Sequence, residues 1–307
     1  LRILVVGGAG FIGLDVSLYL AKRGFQVSII DINRPSENIL DKYNIRFEQI
    51  DMTSENVMEF IRNADVIIHS AWDFSEDVKK SFTVNVLGTI NLLEKAVNFN
   101  VKQFIFLSSA VVYGKPVNIP IKENDPLLVE ESRALLHAIT KLAVEKTLYY
   151  YYKEKNLPYT IFRIWWAYND TRAPGRSFRE VIKKILNNEM IEVPKDAGGS
   201  AVHNEDISRV IEHSIDNKEA FGEIFNIASF SFTWKEVFQE CIKISGSTSK
   251  IVLVDEKEFK GSPFFMGRWF LDTRKIKERL KFESDEENAK ARFYGAVQKM
   301  LKEFSYR

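Results

Sequence analysis

The chain has 307 residues, 45% hydrophobic and 28% charged, enough for a substantial buried core in one large or two modest domains. Its 43 lysines and arginines balance 42 aspartates and glutamates, so the net charge of +1 gives no reason to expect nucleic acid or an acidic membrane as partner. A single cysteine, Cys241, excludes an internal disulfide and suits a reducing cytoplasm, and its apolar-patterned run over 237–242 marks it as a buried thiol. No stretch approaches membrane length, and the apolar N-terminus runs straight into a glycine turn, which is the mark of a strand rather than a signal sequence.

Ile3, Leu4, Val5 and Val6 form a buried-strand pattern, and Gly7, Gly10 and Gly13 follow it as G-x-x-G-x-x-G. Glycines after a strand let the backbone turn tightly and bring its N–H groups close to a pyrophosphate. The next helix, expected over 12–23, presents its positive end to those phosphates. Ile12, Val16, Tyr19 and Leu20 give that helix one apolar face. A second strand over 27–30 ends at Asp31, 18 residues after Gly13, where a carboxylate accepts ribose hydroxyls and repels the extra phosphate of NADP.

Further strands are expected over 46–50, 66–69, 104–107 and 159–163, with helices over about 78–98 and 131–155 between them. Alternating strands and helices predict a doubly wound parallel α/β sheet with right-handed crossovers. Ligands of such sheets lie beyond the C-terminal strand ends, which gathers Asp31, Asp51, Ala71 and Ser109 into one cleft. Past residue 163 the character changes. Trp165, Trp166 and Tyr168 come first, then residues 170–176, ending at Arg176, have the irregular pattern of a substrate loop, and Phe225 to Ile227 return to the sheet. Capping boxes at Thr233–Glu236 and Ser284–Glu287 open two late helices, the second running to about Phe304.

By Ser109 the pattern resembles the extended short-chain dehydrogenase/reductases, the branch of NAD-dependent nucleotide-sugar epimerases and dehydratases. The similarity runs through GGAGFIG at 7–13, Asp31, Asp51, HSAW at 69–72, TVNVLGTINLLEKA at 83–96, FLSSAVVYG at 106–114, TKLAVEK at 140–146, GEIFNIAS at 222–229 and LDTRKIKERL at 271–280. It implies a Rossmann-type NAD-binding domain over 1–163 plus about 202–228. A smaller α/β substrate domain takes about 164–201 plus 229–307. The implied cofactor residues are Gly7, Gly10, Phe11, Ile12, Gly13, Asp31, Asp51, Met52, Ala71, Trp72, Asn85, Ser108 and Lys141. Asp51 and Met52 would flank the adenine, and Lys141 would hold the nicotinamide ribose. Ser109, four residues before Tyr113, falls on the family's catalytic Ser/Thr position.

The departure lies at the centre. Where the family carries Tyr-x-x-x-Lys, this chain reads His137-Ala138-Ile139-Thr140-Lys141. Tyr149 with Lys153 and Tyr151 with Lys155 keep the spacing but lie about three helical turns further on, out of reach. Histidine has an ordinary pKa of about 6.5 and stays a competent acid–base group, and like charge from Lys141 favours its neutral form. The implied catalytic set is therefore Ser109, His137 and Lys141. Candidate substrate residues are Trp166, Arg176, His203 and Arg268, with Arg172 as a further diphosphate partner. Ala110 and Val111 stand where sugar dehydratases carry Asp-Glu, which argues against dehydration.

Two functions follow as expectations. One is an NAD-dependent epimerase or oxidoreductase acting on a nucleotide sugar, or on a smaller or more apolar substrate beside Trp165 and Trp166. The other is a catalytically altered NAD-binding protein that serves as a sensor or assembly module. A homodimer built on the helices at 78–98 and 131–155 is expected from the resemblance, and the tyrosines at 149–152 suit an interface. The four histidines show no ligand-like spacing, so no metal site is expected; His69 is read as a satisfied core histidine.

Overall fold

Seven parallel strands form the central sheet of the computed structural model, which describes residues 1–35, 37–171 and 175–305. The chain opens with β1 (Arg2–Val6), α1 (Gly13–Lys22), β2 (Gln26–Asp31), α2 (Glu37–Lys42), β3 (Arg46–Gln49), α3 (Met58–Arg62) and β4 (Val66–His69). Then follow α4 (Val78–Ser81), α5 (Gly88–Asn98), β5 (Gln103–Ser109), α6 (Leu135–Lys155), β6 (Tyr159–Ile164), β7 (Trp166–Tyr168), α7 (Arg176–Leu186), β8 (Ile191–Pro194) and β9 (Gly198–His203). The remainder is α8 (Asn204–Ser214), β10 (Glu223–Ile227), β11 (Phe230–Thr233), α9 (Trp234–Ser245), β12 (Ile251–Val254), β13 (Arg268–Trp269), α10 (Arg274–Leu280) and α11 (Glu286–Ser305). The order in the large sheet is β10-β6-β5-β4-β1-β2-β3. Reversal of direction on either side of β1 opens a crevice at the C-terminal strand ends.

Strands buried on both faces need continuous apolar runs, and β1, β4, β5 and β6 are buried along nearly their whole length. One face packs against α1 and α8 through Val5, Val16, Leu20, Ile29 and Ile207. The other packs against α3, α5 and α6 through Leu4, Ile61, Leu92, Phe104 and Leu148. A separate cluster rich in aromatic rings, including Trp166, Phe178, Phe232, Trp234 and Phe293, fills the space among α7, α9, α11 and a small sheet ordered β11-β9-β13, to which β7 adds by pairing with β9. No helix among the described residues is long and apolar enough to cross a membrane.

Four sequence expectations change. The helix over 78–98 runs its expected length but winds as a π-helical turn over Phe82–Leu87, between α4 and α5. Residues 166–168, to which the sequence assigns no element, pair in parallel with 201–203 as β7. The helix expected from 131 begins at Leu135, after a short 3-10 turn over Val129–Glu131. The capping box at Thr233 forms as expected, but that at Ser284 does not. Ser284 instead donates its hydroxyl to the Asp206 carboxylate, and Asp285 takes the backbone N–H of Asn288 at 3.1 Å.

Candidate active site

A cleft of about 500 Å³ opens where β1 and β2 end, lined by Gly7, Gly10, Phe11, Ile12, Gly13, Asp31, Asp51, Met52, Ala71 and Trp72. The glycines are required by close approach. Gly7 has φ +81°, and a Cβ there would lie 2.3 Å from the Ala71 nitrogen. A Cβ on Gly13 would lie 2.2 Å from the Gly7 carbonyl oxygen, so α1 packs directly on the turn. Ser70, which the sequence reading passed over, ties the turn together by donating to the Val6 and Gly7 carbonyls, each at 3.1 Å. Asp31 accepts from the Ala9 N–H at 3.0 Å and the Asn33 N–H at 2.9 Å, fixing its carboxylate at the cleft rim. Asp51 accepts from the Thr53 N–H and hydroxyl, and the turn it caps presents Met52 to the cleft floor.

Asn85 lies elsewhere than a cofactor-facing side chain would. It sits in the π-helical turn, wholly buried, and its amide accepts from the Asp73 N–H and donates to the Asp73 carbonyl, both at 2.8 Å. Its action on the cleft is indirect: it fixes the segment that carries Trp72 and Phe74. His69 backs the same turn. The Thr89 hydroxyl donates to the Asn85 carbonyl at 2.6 Å, so it must accept from His69 Nε2 at 2.9 Å, and this places the ring proton of His69 on Nε2. Ser108 also faces away from the cleft and donates to Glu145 at 2.6 Å within the core.

Ser109 ends β5 half-buried, and its hydroxyl accepts from the Val111 N–H at 3.3 Å. His137 and Lys141 share one face of α6, at i and i+4. The Lys141 side chain is 5% exposed; its ammonium donates to the Leu107 carbonyl at 2.7 Å and lies 3.5 Å from the centroid of the Trp72 indole. Burial drives the Lys141 pKa well below its ordinary value, with Glu145 pulling it back in part. The His137 ring lies 6.1 Å from that of Trp72 and edge-on to Phe74 at 5.1 Å. Burial, with help from the charges of Lys141 and Arg133, lowers the His137 pKa to about 3, so the ring is neutral at pH 7. Its Nε2 is buried without a hydrogen-bond partner.

The candidate substrate residues do not converge. Trp166 is 5% exposed inside the aromatic cluster, with ring contacts to Phe178, Trp234 and Phe293. Arg176 starts α7 on an exposed basic face beside Arg179 and Lys183, and Arg268 is exposed on β13. His203 caps α8 by accepting the Glu205 N–H at Nδ1, 3.0 Å, and turns Nε2 towards Asp170 at 3.4 Å. It lines a second hollow with Asp15, Tyr19 and Arg292, apart from the glycine turn. Arg172 lies outside the described residues. Sequence reasoning also missed Arg133, one turn before His137; its guanidinium packs between Phe264 at 4.8 Å and Trp269 at 5.3 Å and donates to the Phe264 carbonyl at 2.5 Å. Among the described residues, no group of three or more His, Cys, Asp or Glu is arranged to hold a metal ion.

The adenosine-diphosphate half of NAD fits these residues. The turn offers backbone N–H groups, α1 offers its N-terminus, and Asp31 offers an acceptor at the rim. The nicotinamide half does not fit the arrangement as it stands, because the Trp72 indole lies on the ammonium that would meet its ribose.

The model of the NAD dependent epimerase/dehydratase family matches residues 3–228. A UDP-N-acetyl-alpha-D-glucosaminuronate decarboxylase of Bacillus cytotoxicus is 31% identical over 303 residues, 92% of each chain. A UDP-glucose 4-epimerase of Halalkalibacterium halodurans is 33% identical over 171 residues, 53% of this chain and 50% of that protein. The chain thus spans about half the length of the latter relative. Among solved structures, the Thermotoga maritima UDP-glucose 4-epimerase with UDP-glucose superposes with a TM-score of 0.77 at 24% identity, covering 100% of this chain and 99% of that one. The Bacillus cereus UDP-glucuronic acid 4-epimerase in complex with NAD gives a TM-score of 0.79 at 20% identity, covering 99% of each. A glycine turn closed by Ala71, an acid at the end of β2, and a family match across nearly three quarters of the length agree: this chain belongs to the NAD-dependent epimerase/dehydratase family.

Proposed function

We propose that this protein is an epimerase or oxidoreductase of the extended short-chain dehydrogenase type, acting on a nucleotide sugar with His137 in place of the usual tyrosine. The observation that carries the reading is the cleft itself, in which the glycine turn, the start of α1 and Asp31 surround one hollow of about 500 Å³, lined as the adenosine-diphosphate half of NAD requires. Bound NAD supplies a hydride acceptor and donor. The chain's own residues supply the proton chemistry. A ring held neutral, with a buried Nε2 lacking a partner, can accept a hydrogen bond from a substrate hydroxyl at that atom when its own proton sits on Nδ1; its lowered pKa makes it a weak base, so the hydroxyl proton moves to it only as the hydride leaves the substrate carbon. Lys141 beside it raises the energy of the imidazolium, which favours return of the proton. Ser109, at the end of the neighbouring strand, is the hydroxyl that would orient the reacting group.

The test is turnover of a panel of UDP-glucose, UDP-N-acetylglucosamine and UDP-glucuronate with NAD, followed by chromatography of the sugar products. Epimerised or oxidised product that disappears in His137→Ala is expected. Absence of any product with bound NAD, persisting in His137→Tyr, would instead support a binding protein without catalysis.

A homodimer through α4, α5 and α6 belongs to the same proposal. Val78 is 61% exposed, Leu135 47%, and Tyr149 and Tyr150 52% each, which leaves apolar and tyrosine surface for a partner. Sedimentation at micromolar concentration should give twice the chain mass, and Tyr150→Glu should shift it to monomer.

A further inference from the structure

We infer that Trp72 is the residue that sets how this cleft distinguishes a dinucleotide from its adenosine-diphosphate half, because its indole competes with the nicotinamide ribose for Lys141. The inference rests on the cofactor reading above. The ammonium of Lys141 has three donors. One reaches the Leu107 carbonyl at 2.7 Å, and the Trp72 and Phe106 rings, with centroids at 3.5 and 4.5 Å, cover the ammonium. A ribose hydroxyl can meet that ammonium only after the indole leaves. Gly7, Gly10, Gly13 and Asp31 line the cleft without any such movement.

The closed arrangement is built to be reversible. Trp72 Nε1 and His137 Nε2 are both buried with no hydrogen-bond partner, although their rings are 6.1 Å apart. Unmet polar atoms weaken the seat of the indole and offer two groups to an incoming polar ligand. The backbone on either side of Trp72 is held in place. On one side the Ala71 N–H is bonded to the Val6 carbonyl at 3.0 Å. On the other, Asn85 holds both backbone groups of Asp73, and Lys80 pairs with its carboxylate at 3.1 Å. Rotation of the Trp72 side chain on a fixed backbone is therefore the movement that exposes Lys141. A buried cation on an indole face is among the stronger contacts of its kind, so removing it should change dinucleotide affinity by about tenfold or more.

The test is calorimetric titration of NAD and of ADP into the whole chain and its Trp72→Ala variant. Expected for the unaltered chain is NAD binding no more than about threefold tighter than ADP. Trp72→Ala should tighten NAD by about tenfold and leave ADP within about twofold, the size of the lost cation–indole contact. NAD binding tenfold or more tighter than ADP in the unaltered chain would overturn the inference while leaving the cofactor reading intact. The same holds if Trp72→Ala leaves NAD affinity unchanged. Failure of both ligands to bind would overturn the cofactor reading and the inference together. Trp72→Phe keeps a ring in place should the alanine variant not fold, and is expected to give an intermediate gain for NAD. In the unaltered chain NAD, but not ADP, should alter tryptophan emission, and Trp72→Phe should abolish that change; persistence of the change in Trp72→Phe counts against the inference.

Discussion

Arg163 and Glu145 form an ion pair at 2.7 Å with both side chains 1% exposed, tying β6 to the helix that carries His137 and Lys141. Burial works against the Arg163 charge, yet the carboxylate outweighs it and the pKa rises above its ordinary value. Glu145 also accepts from Ser108 at 2.6 Å, while Arg163 donates to the Glu123 carbonyl at 3.1 Å. Removing one partner leaves the other buried and uncompensated, so Arg163→Met should lower stability by about 3–5 kcal/mol in urea unfolding. The double variant Arg163→Met with Glu145→Leu should recover much of that loss. A single variant within about 1 kcal/mol of the unaltered chain would show the pair to be dispensable.

Gly7 and Gly10 separate folding from ligand binding. A Cβ on Gly7 meets the Ala71 backbone at 2.3 Å on a left-handed φ, so Gly7→Ala should unfold the turn and lower the melting temperature sharply. A Cβ on Gly10 meets only the Gly7 carbonyl oxygen, at 3.1 Å, and otherwise enters the cleft. Gly10→Ala should therefore melt within a few degrees of the unaltered chain while NAD affinity falls by about tenfold, the loss of roughly 1.4 kcal/mol of phosphate contact. Thermal melting and calorimetry on the same samples check both halves.

The central sheet was legible because its strands are buried on both faces and carry unbroken apolar runs. The glycine turn was legible because three glycines in strand–turn–helix context have few other uses. The substrate side was not. Trp166 follows strand β6 among the candidate substrate residues, yet its ring lies in an aromatic cluster whose other members include Phe178, Trp234 and Phe293 from distant segments. Pattern alone could not show that. Nor could it show the π-helical turn at 82–87, whose Asn85 serves Asp73, or that Thr89, just beyond it in α5, serves His69. Trp72 was visible as a cleft residue, but its contact with Lys141 depends on two elements 69 residues apart. For His137 the sequence offers only the repulsion from Lys141, which favours a neutral ring; burial acts in the same direction and more strongly.

Two histidines make stability depend on pH. Burial, reinforced by the charge of Lys141, holds the pKa of both His69 and His137 at about 3, against an ordinary value of 6.5. The folded state then binds fewer protons than the unfolded state between those limits. Their contribution is complete above pH 6.5 and is lost as pH falls towards 3. Each ring adds up to about 1.4 kcal/mol of destabilisation per pH unit within that window. His137→Phe should flatten the dependence of urea-unfolding free energy on pH by about one proton's slope below pH 6. An unchanged slope would mean that His137 titrates normally in the folded chain.

Asp31 should set the choice between NAD and NADP. Its carboxylate is fixed by the N–H groups of Ala9 and Asn33 at 3.0 and 2.9 Å and stands at the rim where the second strand ends. An added ribose phosphate would bring like charge to that point, which costs several kcal/mol when the two cannot separate. Asp31→Asn keeps an acceptor for Ala9 and removes the charge, whereas Asp31→Ser shortens the side chain as well. Both should raise NADP affinity, and Asp31→Ser should also weaken NAD by removing the ribose acceptor. Relaxation of the NAD over NADP preference by roughly tenfold or more is expected for Asp31→Asn, measured as a ratio of dissociation constants. Equal affinity of the unaltered chain for the two dinucleotides would show that the extra phosphate avoids this carboxylate, and would remove Asp31 from the selectivity of the cleft.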